Sequence, residues 1–397
     1  MNSNLRQLFT IAEKPVRRII GLMSGTSLDG LDVALCAISG SGMETRVTLE
    51  KFDTVTYPVA VKDAIRKVFA KDTIPFQQLC LLHPWLADLH AKWILECLSE
   101  WGISPKEVDL IASHGQTVYH SPKILHQLPD FPNATLQIVD GDHIAVKTGI
   151  ITFSDFRQKH IAAGGEGAPL ALYGDYCLFS RQGEDRVMLN MGGIANFTFL
   201  PGDLAASGVF VTDTGPGNTL LDAFARTYFQ VEYDKDALFA KQGVVDEKLL
   251  SALKDNSFFK EPFPRTTGPE LFSKAYVQQA QLKSGTNEIS PYDMLATLTR
   301  FSADTITDAL KSVLREDSDY AVYASGGGAH NPLLMGWIKE RLPRLQLRTT
   351  GELGIAGDAK EAVLFAILAN EAIAGEGINF GRPGMPAVTM GKISFPA

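Results

Sequence analysis

The stretch Gly21-Leu-Met-Ser-Gly-Thr-Ser-Leu-Asp-Gly-Leu-Asp-Val-Ala-Leu-Cys36 limits the folds open to this chain more than any other. Ile19 and Ile20 lead into a turn of small and polar residues, after which Leu31, Val33 and Leu35 alternate with Asp32, Ala34 and Cys36. A period of two is that of a strand with one buried face, so the pattern predicts strand, tight turn, strand. Between the strands, Gly25 and Gly30 let the backbone approach a ligand closely, and Ser24, Thr26 and Ser27 carry hydroxyl donors. Asp29 and Asp32 suit a hydrated Mg²⁺. Turns also favour such residues for conformational reasons, so the stretch reads equally as a phosphate cradle and as a plain hairpin.

The chain of 397 residues, 45% hydrophobic and 21% charged, can bury substantial cores and is expected to form about two to three domains. Its net charge of −8, with Lys and Arg scattered, argues against a nucleic-acid partner. Cys36, Cys80, Cys97 and Cys177 lie far apart without a C-x-x-C pair, which suggests neither a zinc site nor a disulfide framework. No apolar run is long enough for a signal peptide or a membrane span, and a cytoplasmic location is the expectation.

A third strand is expected over Thr45–Tyr57, then helices over Val59–Phe69 and Phe76–Trp101, with Pro84 starting or kinking the second. His83 and His90 fit a packed or solvated helix face. The apolar run from Val108 ends in His114 and Gln116, at the strand end where α/β folds place ligands. Residues 121–133 read as irregular loop, Asp140–Gly149 as helix and Ile150–Phe153 as a short strand, with the first domain boundary near there. The glycine-rich stretch Ser154–Leu170 carries Asp155 and Arg157, a composition suited to an oxygen-rich or anionic small molecule, with a plain loop as the alternative.

A second hairpin, Val187–Phe199, turns at Gly192-Gly193 with Asn190 and Asn196 beside it. Its layout echoes the first and suggests a duplicated α/β domain with phosphates pinched between the copies. Asp213 leaves a strand just before Thr214-Gly-Pro-Gly-Asn218, where it suits a general base or, equally, an ordinary turn or helix cap. Residues 235–290 offer little chemistry. The strand at Tyr320 runs into Gly326-Gly-Gly328, a bare backbone that suits a purine face. Glu361 is the acidic exception in the apolar helix Lys360–Asn370, placed for a substrate hydroxyl or for the helix dipole.

Neither G-x-x-x-x-G-K-[ST] nor G-x-G-x-x-G occurs. The order is instead hairpin, strand with polar end, second hairpin, Asp-Thr-Gly-Pro-Gly-Asn, glycine run and buried helix. It resembles the actin, hexokinase and Hsp70 superfamily, and within it the anhydro-N-acetylmuramic acid kinase family. The resemblance rests on Gly21–Asp32, Ser113-His-Gly-Gln-Thr117, Asp155-Phe-Arg157 with Ala162–Leu170, Leu189–Asn196, Asp213–Asn218 and Gly326–Gly328, and runs from about Ile19 to the C-terminus.

The resemblance implies an α/β fold of two RNase H-like domains around a central nucleotide and sugar cleft, one formed by residues 1–150 plus 365–397 and the other by 151–364. It implies ATP with Mg²⁺, the metal on Asp29 and Asp32 through water. Ser24, Gly25, Thr26, Ser27, Leu28, Asp29, Gly30 and Leu31 would hold the phosphates, and Gly326, Gly327 and Gly328 the adenosine side. Gly192, Gly193 and Asn218 join the nucleotide set. Asp213 would be the base, and His114, Gln116, Arg157 and Glu361 would bind the sugar. The implied reaction opens the 1,6-anhydro bridge with water and phosphorylates O6, in cell-wall recycling by a homodimer. A levoglucosan-type kinase, a conventional sugar kinase and a catalytically silent nucleotide sensor are the alternatives.

Overall fold

The computed structural model describes residues 2–268, 270–314, 320–355, 357–381 and 384–397. The expected hairpin is formed by β1 (Val16–Ser24) and β2 (Gly30–Ser39), antiparallel with Gly21 opposite Ala34. β3 (Arg46–Thr56) continues the meander. β4 (Leu110–Ser121) then lies parallel to β1, and β6 (Thr152–Ser154) lies parallel to β4, while β5 (Ala134–Ile138) pairs with the outer half of β4. The C-terminal strand Lys392–Ser394 closes the edge against β6.

Alternation along β1 serves two layers. Ile20 and Leu22 enter a core with Leu86, Trp93 and Ile94 of the helix Phe76–Glu100. Gly21 points the other way, where a Cβ would lie 1.9 Å from the Ala362 carbonyl oxygen, so glycine lets the buried helix Lys360–Ala374 rest directly on the strand. Pro84 does not start the helix that contains it. That helix runs on for 25 residues, held by buried Leu82, Leu86, Ala87 and Ala91 around the proline.

The second sheet repeats the plan. β7 (Arg186–Met191), β8 (Ile194–Leu200) and β9 (Phe210–Pro216) form an antiparallel meander, and β10 (Ala321–Ser325) and β11 (Gln346–Thr349) extend it with β10 parallel to both β7 and β11. Its order, β11-β10-β7-β8-β9, matches the order β6-β4-β1-β2-β3 of the first. This repeated meander-plus-two-parallel arrangement is the RNase H-like topology, so the fold is two such domains. The helix Pro291–Lys311 is buried on nearly every face beneath the second sheet.

The chain divides into two compact units, Met1–Phe179 with Gly354–Ala397, and Ser180–Leu353. These bounds differ from the expected ones at 150 and 365. β6 is hydrogen-bonded to β4, which keeps 151–179 in the first unit, and the Gly21–Ala362 approach holds the start of the C-terminal helix there too. Among the described residues, no helix is long and apolar enough to cross a membrane.

Candidate active site

In the first unit, the turn between β1 and β2 is closed by the Leu28 N–H donating to the Gly25 carbonyl at 3.3 Å. Leu28 is in the left-handed region at φ 60 with its side chain buried, which leaves Thr26, Ser27 and Asp29 exposed. Gly30 admits no side chain, since a Cβ would lie 2.4 Å from the Val55 carbonyl oxygen. Leu31 is fully buried, a core contact rather than an open edge of the turn. Ser24 is also buried, and its hydroxyl donates inward to Gln116 Oε1. Gln116 is wholly enclosed and donates through Nε2 to the Gly25 carbonyl at 3.3 Å. Ser24 and Gln116 thus form the floor of the turn.

Asp32, half-buried beyond the turn, accepts from Thr54 Oγ1 at 2.7 Å. Burial raises its pKa, the Thr54 hydrogen bond opposes this, and the nearby Asp358 and Asp29 carboxylates add to the rise. Asp29 and Asp358 thus act on Asp32 as like charges.

Arg157 sits in the short helix Phe156–Ala162, which the sequence pattern had as loop. Its Nε donates to His114 Nε2 at 3.1 Å and its Nη1 to the Gly167 carbonyl at 2.6 Å. Burial lowers the His114 pKa to about 3, with Arg157 adding to the effect, so the ring is a neutral acceptor that orients the guanidinium. Arg157 is pushed down to about 10 by burial, opposed by Glu361, and stays a cation. Glu361 is exposed as a residue, while desolvation of its carboxyl raises its pKa, with Lys360 and Arg157 opposing and Asp32 assisting. Glu361 is coupled electrostatically to Arg157 on one side and to Asp32 on the other.

In the second unit, the Gly192-Gly193 turn, Asn218 and Gly326–Gly328 converge. The N–H groups of Gly217 and Thr219 donate to the Gly193 carbonyl and that of Asn218 to Gly192, while Asn218 Nδ2 donates to the Met191 carbonyl at 3.0 Å. A Cβ on Gly326, at φ 80, would lie 2.7 Å from Asn190 Oδ1, and one on Gly328 would lie 2.7 Å from Met191 Cβ. Only backbone fits here, and Gly193, Gly326 and Gly327 present it to solvent.

Asp213 lies on β9. Its N–H donates to the Arg265 carbonyl at 2.9 Å, and its Oδ2 accepts from the Thr267 N–H at 2.7 Å, leaving Oδ1 without a hydrogen bond among the described residues. Burial raises its pKa to about 6, the Thr267 amide and Arg265 hold it down, and Glu270 pushes it up. Arg265 is itself fixed by donating to the Phe258 carbonyl at 3.0 Å, with its guanidinium over the Phe258 and Phe263 rings. Sequence reasoning missed Arg265 and Thr267, since it passed over 235–290. The Pro-Phe-Pro-Arg-Thr-Thr-Gly run 262–268 was the available signal, an extended segment fit to run beside a strand.

The sequence pattern of the family described as anhydro-N-acetylmuramic acid kinase matches residues 17–388. The chain is 53% identical over 400 residues to the anhydro-N-acetylmuramic acid kinase of Pseudoalteromonas atlantica, covering 100% of both chains. It is 39% identical to that of Caldanaerobacter subterraneus, over 98% of this chain and 100% of the relative, and 36% identical to that of Bacillus cereus, over 95% and 99%.

Proposed function

The chain belongs to the anhydro-N-acetylmuramic acid kinase family and is a kinase, and from that membership we propose the reaction and the part each residue takes in it. Water attacks C1 of 1,6-anhydro-N-acetylmuramic acid and gives a proton to Asp213. The C1–O6 bond breaks, and O6 takes the terminal phosphoryl group of ATP. The products are N-acetylmuramic acid 6-phosphate and ADP.

The observation that carries this reading is Asp213. A base that must take a proton from water near neutral pH needs a pKa brought up toward the working pH, and burial brings this one to about 6. Thr267 holds one carboxylate oxygen and leaves the other open to the water. Arg157 and Glu361 bind the sugar, while His114 acts by holding Arg157 and Gln116 by holding the phosphate turn. The backbone of Gly25–Asp29, with the Thr26 and Ser27 hydroxyls, takes the phosphates. Gly192, Gly193, Asn218 and Gly326–Gly328 take the nucleoside side.

Asp29 and Asp32, like charges that act on one another, suit a hydrated magnesium ion. Held through water by that pair, the ion would neutralise phosphate charge during transfer. We further propose that the enzyme works in the cytoplasm, where ATP is available, as a homodimer that recycles cell-wall amino sugars.

The test is MgATP-dependent phosphorylation of 1,6-anhydro-N-acetylmuramic acid, levoglucosan and free N-acetylmuramic acid in H₂¹⁸O, by the chain and by its Asp213→Asn variant. Turnover of the first sugar with label at C1, lost in the variant, supports the reading. Preference for levoglucosan moves the substrate, phosphorylation of the free sugar alone removes the hydrolytic step, and ATP binding without turnover points to a silent sensor.

A further inference from the structure

Beneath the β1–β2 turn, four buried side chains from four different segments form one unbroken line of hydrogen bonds. Gln116 Nε2 donates to the Gly25 and Thr117 carbonyls, each at 3.3 Å. Both partners are acceptors, so that end of the amide must be nitrogen, and Oε1 is left to accept from Ser24 Oγ. With its only proton given to Gln116, Ser24 Oγ accepts from the Tyr57 hydroxyl at 2.8 Å. Tyr57 in turn has no proton left for His90, so His90 Nε2–H donates to it at 2.8 Å. His90 Nδ1 is then a bare lone pair, and it is the ring atom that has no hydrogen-bond partner. Full burial keeps this imidazole neutral, with a pKa of about 3. Every proton in the line is assigned, and all run one way, from His90 to the Gly25 carbonyl.

Ser24, Tyr57, His90 and Gln116 are each at most 2% exposed, so the bonds that join these four side chains form away from water. A trans peptide places its carbonyl and the following N–H on opposite sides. Drawing the Gly25 carbonyl inward, toward Gln116 and Leu28, therefore turns the Thr26 N–H outward, beside the exposed Thr26 and Ser27 side chains. An outward amide in a turn is a donor for an anion.

We propose that Tyr57 and His90 are positioning residues for the phosphoryl donor, setting the Gly25–Thr26 peptide through Ser24 and Gln116 so that its amide meets the nucleotide's terminal phosphates. This rests on reading the β1–β2 turn as the phosphate site. Neither residue reaches the exposed face of the turn, and neither belongs to the motif that surrounds it.

The experiment compares Tyr57→Phe, His90→Leu, His90→Gln and Gly25→Ala by steady-state kinetics in both substrates, MgADP calorimetry and thermal unfolding. Tyr57→Phe keeps the ring stacked on Trp93, 5.4 Å away, and removes only the hydroxyl. Loss of one link is expected to raise the KM for ATP and the MgADP dissociation constant about five- to tenfold, with the KM for the sugar within about twofold. His90→Leu should act likewise, and His90→Gln, which restores a donor, should recover most of the loss. Gly25 has room for a methyl group, its nearest contact being Ser27 Oγ at 3.5 Å, so Gly25→Ala probes the turn directly. If Gly25→Ala leaves nucleotide affinity unchanged, the turn is not the phosphate site. If it weakens affinity while folded Tyr57→Phe and His90→Leu do not, or if those two raise both KM values alike, the positioning role is overturned. Should Tyr57→Phe fail to fold, the His90 pair decides the question in the same way.

Discussion

Asp213→Asn separates activity from stability in opposite directions. Burial lifts the carboxyl from 3.8 to about 6. A shift of about two units is on the order of 3 kcal/mol of preference for the neutral form in the fold, reduced by the solvent that still reaches it. A raised folded-state pKa means that the stabilising protonation is complete below the unfolded value and is lost as pH rises through about 6. At pH 7.5 the ionised side chain therefore opposes folding. An amide keeps the shape and the acceptor for the Thr267 N–H while removing the charge. The variant should melt higher at pH 7.5, by about 2–4 °C for each kcal/mol recovered. That gain should shrink between pH 6 and 4. Turnover should meanwhile fall by about 10²–10⁴. In the parent enzyme, kcat/KM for the sugar should drop about tenfold per pH unit below 6. Scanning calorimetry across pH, with stopped-time product assays, reads all four. Turnover within tenfold of the parent, or a lower melting temperature at pH 7.5, would refute a buried, charge-strained base at this position.

Arg157→Lys removes the paired bonds to His114 and Gly167, which a single ammonium cannot reproduce, and should raise the KM for the sugar about tenfold or more with MgADP affinity unchanged; kinetics in both substrates check this. Gly21→Ala forces a methyl group onto the Ala362 carbonyl and should cost at least about 1–3 kcal/mol, read as a lower melting temperature or as insoluble protein. EDTA should abolish turnover and excess Mg²⁺ restore it. Asp32→Asn should raise the Mg²⁺ concentration needed for half-maximal rate, whereas an unchanged requirement would remove Asp32 from the metal site.

Local periodicity carried much of the fold. Leu31, Val33 and Leu35 share the face of β2 that enters the core with Leu86 and Ile94, while Ala34 and Cys36 on the other face are buried as well, and apolar runs about a Gly192-Gly193 turn marked the second hairpin. Elements whose stability comes from distant partners were not visible in this way. β5 is a strand because β4 offers it an edge; Ala134-Thr-Leu-Gln-Ile138 alternates apolar and polar residues, yet Ala134 and Leu136 are exposed while Thr135 and Ile138 are buried, so the alternation does not mark its buried side. The helix that carries Arg157 lies within a glycine-rich stretch that reads as loop. The division between the units also followed long-range pairing, with β6 and Lys392–Ser394 tying residues far apart in the chain to the first sheet.

The site divides along the same line. The glycines at 25, 30, 192, 193 and 326–328 and the carboxylate at 213 stood out by residue type, and the structure gives Gly30, Gly326 and Gly328 a packing reason, since a Cβ on each would lie within 2.7 Å of a neighbouring atom. The direction in which each polar side chain points did not stand out. Ser24 and Gln116 have the composition of ligand contacts, yet their hydroxyl and amide face Tyr57 and the Gly25 carbonyl, in the interior. Arg265 and Thr267 gain their meaning only by lying beside β9, where the Arg265 carbonyl and side chain and the Thr267 N–H, 52 and 54 residues away, fix Asp213. Sequence by itself determined the elements that local periodicity marks, such as the two hairpins, and which residue types offer a close-approaching backbone, since both follow from local pattern and backbone freedom. Tertiary structure alone decided which polar groups are tied to one another and how far burial shifts a carboxyl, because hydrogen-bond partners and desolvation belong to neighbours in space.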